Sequence, residues 1–132
     1  MFRLTRPLFQ QVTKLTTGIY GVPVHPNPLP ELAQTYQNTL ARLATIPAHS
    51  VYRQGTEALT QRKLNILEAA KGNVAEVEER LEEGQLEQAL MIAKDELELV
   101  DKMAEWKAWE SLEEKPEPGQ WEYFGKASEA ST

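Results

Sequence analysis

The sequence contains no cysteine. That excludes disulfides, a cysteine nucleophile and every thiolate metal site. It has only two histidines, His25 and His49, and neither belongs to a metal motif such as HExxH. Its longest apolar runs are a few residues, so nothing in it spans a membrane. Its glycines are single. "TTGIYGVPV" holds Gly18 and Gly21 alone, too sparse a spacing for a nucleotide loop. Basic residues do not form a stripe interleaved with aromatics, as single-strand nucleic-acid binders require. No internal repeat is present, and no stretch alternates well enough to read as a strand.

What remains is an ordinary globular composition in one domain's length: 132 residues, 41% hydrophobic and 26% charged. The charge is unevenly spread. Residues 1–20 contain Arg3, Arg6 and Lys14, four threonines and no acid. This start reads as a mitochondrial targeting leader over residues 1–14, with a basic arm as the alternative. Residues 68–117 reverse the balance, with acidic residues far outnumbering basic ones. Such a surface repels a nucleic-acid backbone and suits a basic protein partner, or is simply a solvated face.

Proline and glycine divide the chain. "GVPVHPNPLP" carries Pro23, Pro26, Pro28 and Pro30 and reads as an extended connector over residues 15–29. A first helix is expected from Pro30 to about Thr45, with Leu29, Leu32, Tyr36, Leu40 and Leu43 on one face. Pro47 breaks it. Ser50 caps a second helix reaching Ala70, whose apolar positions are Val51, Tyr52, Leu59, Ile66 and Leu67; Gly55 there suggests a close helix contact. After Gly72, Asn73 and Glu76 have capping-box spacing for a short helix that Gly84 stops. A long helix is expected from about Gln85 to Leu112, roughly 40 Å at about 1.5 Å per residue. The expected architecture is all-α: an antiparallel bundle of three main helices with a short extra helix over residues 30–112. Extended N- and C-terminal segments flank it, the latter over 113–132.

The long helix carries more apolar surface than a small bundle needs. With Leu86 at zero and about 100° per residue, Leu90, Ala93, Leu97, Val100 and Ala104 fall within about 40° of it. Ile92, Leu99, Met103 and Trp106 form a second band roughly 130° away. The charged sector holds Lys94, Glu98 and Lys102 at spacings of four, suited to helix-surface ion pairs. Trp109 falls in that charged sector and needs cover of its own. Either the tail carrying Trp121, Tyr123 and Phe124 folds over it, or a partner's pocket receives it. The second band is likewise either covered internally or reserved for a partner. The candidate interface is therefore Ile92, Leu99, Met103, Trp106, Trp109 and Trp121. No pair of carboxylates stands in an apolar setting that would tune it for catalysis. A histidine–carboxylate hydrolase or metal enzyme would need His25 and His49 to converge in one cleft.

Four stretches in order carry a resemblance: "LTTGIYGVPVHPNP", "LARLATIPAHSVYRQGTEALTQRKLNI", "LEEGQLEQALMIAKDELELVDKMAEWKAWE" and "PGQWEYF". Together they resemble the alpha-subcomplex subunit 5 family of mitochondrial NADH–ubiquinone oxidoreductase, respiratory complex I. The signature positions are Thr16, Thr17 and Gly18; Tyr52 and Arg53; Gly84, Gln85 and Leu86; and Trp106, Lys107, Trp109 and Trp121. The resemblance implies a noncatalytic helical subunit without flavin, iron–sulfur cluster or quinone site. It implies a place on the matrix side of the inner membrane, peripheral, among the peripheral-arm subunits, including the 30 kDa core subunit. The implied role is assembly and stability of that arm. A free-standing helical binding module is the alternative.

Overall fold

The computed structural model describes residues 14–120. All regular structure among them is helical. The elements are α1 (Pro28–Leu43), α2 (Val51–Ala70), α3 (Val74–Leu81) and α4 (Leu86–Trp106).

The starts follow local chemistry. Both Pro28 and Pro30 sit in the first turn of α1, where a missing N–H costs nothing, so the helix begins two residues before the expected Pro30. The Ser50 hydroxyl accepts from the Arg53 N–H at 3.5 Å and caps α2. Asn73 does the same for α3 through the Glu76 N–H at 3.4 Å. At α4 the Gln85 N–H donates to the Gln88 side chain at 3.0 Å, while the Leu86 N–H donates to Glu78 of α3 at 3.0 Å. Gly84 stands just before, at φ +82°, and a Cβ there would lie 2.4 Å from Gln88 Oε1. The backbone conformation demands glycine, and any larger residue would also push the end of the Gln88 side chain off the Gln85 N–H.

The end of α4 departs from expectation. It stops at Trp106, not near Leu112, because Lys107 turns left-handed at φ 50°. The Lys107 N–H donates to Ala104 and the Ala108 N–H to Met103, the paired bonds of a Schellman stop. Everything beyond Lys107 leaves the helical wheel.

Helix α1 packs most extensively, against both α4 and α2, while α2 and α4 make almost no close backbone approach. The larger core joins all four helices around Leu32, Tyr36, Leu64, Leu67, Val77 and Leu90. A smaller one, Leu43, Ile46 and Val100, closes the other end. Thr35 and Thr39 are buried on α1, each hydroxyl donating to the carbonyl four residues back.

On α2 the inward face differs from the expected one. Thr60, Leu64, Leu67 and Ala70 are buried, whereas Val51 and Leu59 are exposed. Gly55 is exposed too, with nothing within 4 Å of its Cβ position, so it marks no close helix contact.

Candidate partner interface

The first apolar stripe of α4 faces inward. Leu86, Leu90, Ala93 and Val100 are buried, and Leu97 and Ala104 are half-buried. The second band does not. Ile92 is 45% exposed, Leu99 37% and Trp106 64%. Met103, from the same band, is half-buried and packs against the Leu43–Ile46–Val100 cluster.

Trp109 is the main correction. Its position in the charged sector assumed a helix that continues. After the left-handed Lys107 it folds back, and it packs against the same small cluster as Met103. Its cover includes this chain's own core. Trp121, Tyr123 and Phe124 lie outside the described residues.

Polar groups border the band. The Tyr52 hydroxyl donates to Glu96 Oε1 at 2.6 Å, tying the start of α2 to the middle of α4. Burial, then the neighbouring Glu96 carboxylate, pushes the Tyr52 phenol above its ordinary value. Arg53 pairs with Glu57 at 3.4 Å and donates to the Ile46 carbonyl. The expected Lys94–Glu98–Lys102 ladder does not form. Lys94 reaches Glu31 of α1 at 2.5 Å, and Lys102 pairs with Glu105 at 3.1 Å.

The opposite end of α4 brings the distant signature residues together, which spacing alone did not reveal. Gln85 Nε2 donates to the Thr17 carbonyl at 2.7 Å. Lys14 Nζ donates to Gln85 Oε1 at 2.8 Å and Glu87 Oε2 at 2.6 Å. Lys14, which the sequence groups with the leader, is thus tied to the folded chain. The His25 N–H donates to the other Glu87 oxygen at 3.4 Å. Glu87 is 4% exposed. Burial alone would raise its pKa; the Lys14 bond and backbone N–H groups outweigh that and hold it below the usual carboxylate range. The Thr17 hydroxyl donates to the Val22 carbonyl at 2.6 Å and closes the intervening turn, leaving Tyr20 on its tip fully exposed.

The two histidines do not converge. His25 precedes α1 and pairs with Glu31 at 2.5 Å; His49 follows α1 and is exposed. The 16-residue α1 between them is about 24 Å long. Among the described residues no group of three histidine or acidic side chains could hold a metal ion, and no helix is long and apolar enough to cross a membrane.

Among the described residues this is an all-helical protein that leaves an apolar face of α4 exposed. Its residues 21–88 match the family described as the ETC complex I subunit conserved region. The chain is 43% identical over 125 residues to the NADH dehydrogenase [ubiquinone] 1 alpha subcomplex subunit MCI4 of Candida albicans, covering 94% of this chain and 89% of that one. It is 40% identical over 110 residues to the alpha subcomplex subunit 5 of Bos taurus, covering 83% and 94% respectively. The probable alpha subcomplex subunit 5, mitochondrial, of Arabidopsis thaliana is 38% identical over 104 residues, covering 79% of this chain and 60% of that one. The chain belongs to this family of complex I subunits.

Proposed function

We propose that the chain is a noncatalytic accessory subunit that stabilises or helps assemble the matrix-side peripheral arm of respiratory complex I. It binds there, peripheral to the mitochondrial inner membrane, among other arm subunits including the 30 kDa core subunit. The observation that carries this reading is the exposed Ile92–Leu99–Trp106 face on α4. Burying one large apolar side chain stabilises by about 1.5–3 kcal/mol. A face of three at helical spacing is a strong gain for an assembly and a liability for a free chain.

The scaffold in this reading is an up-down-up bundle, α2 antiparallel to both α1 and α4. Glu31 meets Lys94 and Arg42 meets Asp101, in the same order along α1 and α4. Tyr52 meets Glu96 and Lys63 meets Glu83, in opposite order along α2 and the chain of α4 and its lead-in. A rigid α1–α4 pair of this kind holds the exposed face in register for a neighbour. A free-standing module would need that face covered by its own residues.

Native-gel separation of mitochondrial membranes tests the reading. The wild-type chain is expected to co-migrate with NADH dehydrogenase activity. Trp106→Asp is expected to cut incorporation severely while leaving helicity near the wild-type level, because the side chain is mostly exposed in the isolated chain. Unchanged incorporation of this variant would remove the partner role of the face.

A further inference from the structure

Tyr36 of α1 is 3% exposed, and its hydroxyl has no hydrogen-bond partner among the described residues. One other buried side-chain atom there shares that condition, Glu83 Oε2 in the connector between α3 and α4. A buried polar atom left unpaired is costly and rare in native proteins. Lys63 of α2 links the two residues. Its ammonium pairs with Glu83 Oε1 and stands 6.0 Å from the centre of the Tyr36 ring. Both members of that ion pair are largely buried. Burial, and then the Glu83 charge, hold the Tyr36 phenol above its ordinary value, so it keeps its proton as a donor. The Glu83 carboxylate, held by an ammonium, only accepts. Each atom is the partner that the other lacks.

We propose that the Tyr36 hydroxyl donates to Glu83 Oε2, so that Tyr36, Lys63 and Glu83 form a buried latch fixing the α3–α4 connector against α1 and α2. The shape of the connector calls for such a hold. Glu82 and Gly84, on either side of Glu83, are both left-handed, at φ 57° and 82°. A glutamate adopts that backbone against its preference, so a contact that keeps the turn closed contributes directly to its shape. Two residues beyond Glu83, the Gln85 side chain donates to the Thr17 carbonyl and accepts from Lys14. Glu83 and Gln85 thus tie one short connector two ways, to α1 and α2 and to the segment before α1. The latch sets the position from which Gln85 grips that segment. None of this depends on a partner subunit.

A double-mutant cycle in the full chain tests the bond, with denaturant unfolding as the readout. Tyr36→Phe is expected to lower the folding constant about tenfold, as for the loss of a buried hydrogen bond to a charged group. In a Glu83→Ala background the same change is expected to leave the constant unchanged or raise it, because the phenol there has no acceptor to lose. The Lys63 pair lost with Glu83 is common to both members of that background and cancels. No loss in either background would mean that the phenol is unpaired, and an equal tenfold loss in both would give it another partner. Either result overturns the bond. Amide hydrogen exchange tests the latch. Tyr36→Phe should speed exchange at the Leu86 N–H, which bonds Glu78, and at the Val22 N–H, which bonds the Ile19 carbonyl, by more than at Val100 in the smaller cluster. Equal acceleration at all three would overturn the latch.

Discussion

The two ends of α4 are built on opposite terms. At its start the chain closes on itself: Lys14, Thr17 and His25 reach across to Gln85 and Glu87, and Leu86 and Leu90 are buried among all four helices. At its finish only a small cluster lies beneath, Trp109 folds back onto it, and Leu99 and Trp106 stay exposed. One helix thus begins inside a core that joins all four helices and ends over a smaller one, where Val100 is buried while Leu99 and Trp106 stay outward. Amphipathic strength alone does not separate the two ends, since apolar residues recur throughout. The difference lies in which turns have a second layer packed on them.

The sharpest way to break that contrast is a pair of truncations. Leu86→Ala is expected to cost about 2–5 kcal/mol in denaturant unfolding of the isolated chain, as for a fully buried leucine whose site cannot collapse. Leu99→Ala is expected to cost less, about 1–2 kcal/mol, because Leu99 keeps 37% of its surface exposed and its open side leaves no closed cavity. Comparable losses would mean that the second half of α4 is covered by this chain after all.

A smaller effect belongs to the turn that launches α4. Gly84→Ala is expected to cost about 1–2 kcal/mol for its left-handed backbone, and more because the new Cβ displaces Gln88. Adding Gln88→Ala should return the second part and leave the first, so a double-mutant cycle reports the coupling. Gly55→Ala is the contrasting control. That glycine sits in an exposed helix interior with open space at its Cβ, so alanine there should stabilise by about 0.5–1 kcal/mol. Equal signs at the two positions would contradict the local geometry.

These glycines also show what was legible in the sequence. Prolines, Ser50, Asn73 and the paired Gly72 and Gly84 mark where helices start and stop, because each supplies a backbone or capping property that other residues lack. The inward stripe of α4 was equally plain from its period. The stop at Lys107 was not, since lysine has no preference for left-handed backbone and the pattern runs on past it. Trp109 was misplaced for that one reason. The inward face of α2 was misread because Thr60 is buried where Leu59 is not, and residue type favours the wrong neighbour. Of the candidate interface, Ile92, Leu99 and Trp106 followed from helical phase. The pairing of Gln85 with Thr17 and Lys14 did not, because it depends on how the segment before α1 folds back onto the start of α4.

The smallest effect expected tests the closed end through pH. Glu87 has its pKa lowered in the folded chain, so its contribution to stability is present above its ordinary value near 4.5 and is lost as pH falls through the lower, folded value. Lys14→Met removes the ammonium and leaves a nearly buried carboxylate held by backbone N–H groups alone, those of His25 and of Glu87 itself. Burial then dominates and moves the carboxyl above its ordinary value, which reverses the sign. In the variant this group destabilises at neutral pH and relaxes on protonation. The stability gap between wild type and Lys14→Met should therefore be widest near pH 7, begin to shrink above pH 4.5 as the variant's carboxyl takes its proton, and go on shrinking below 4.5 as wild-type Glu87 loses its contribution, with denaturant melts as the readout. All other carboxylates titrate in both proteins and cancel in the difference. Lys102→Met, at the open end, breaks only an exposed pair with Glu105 and should give a flat, near-zero gap across the same range. A flat gap for Lys14 as well would show that the two ends of α4 are held by apolar contacts alone, and that the polar clasp adds nothing to the distinction between them.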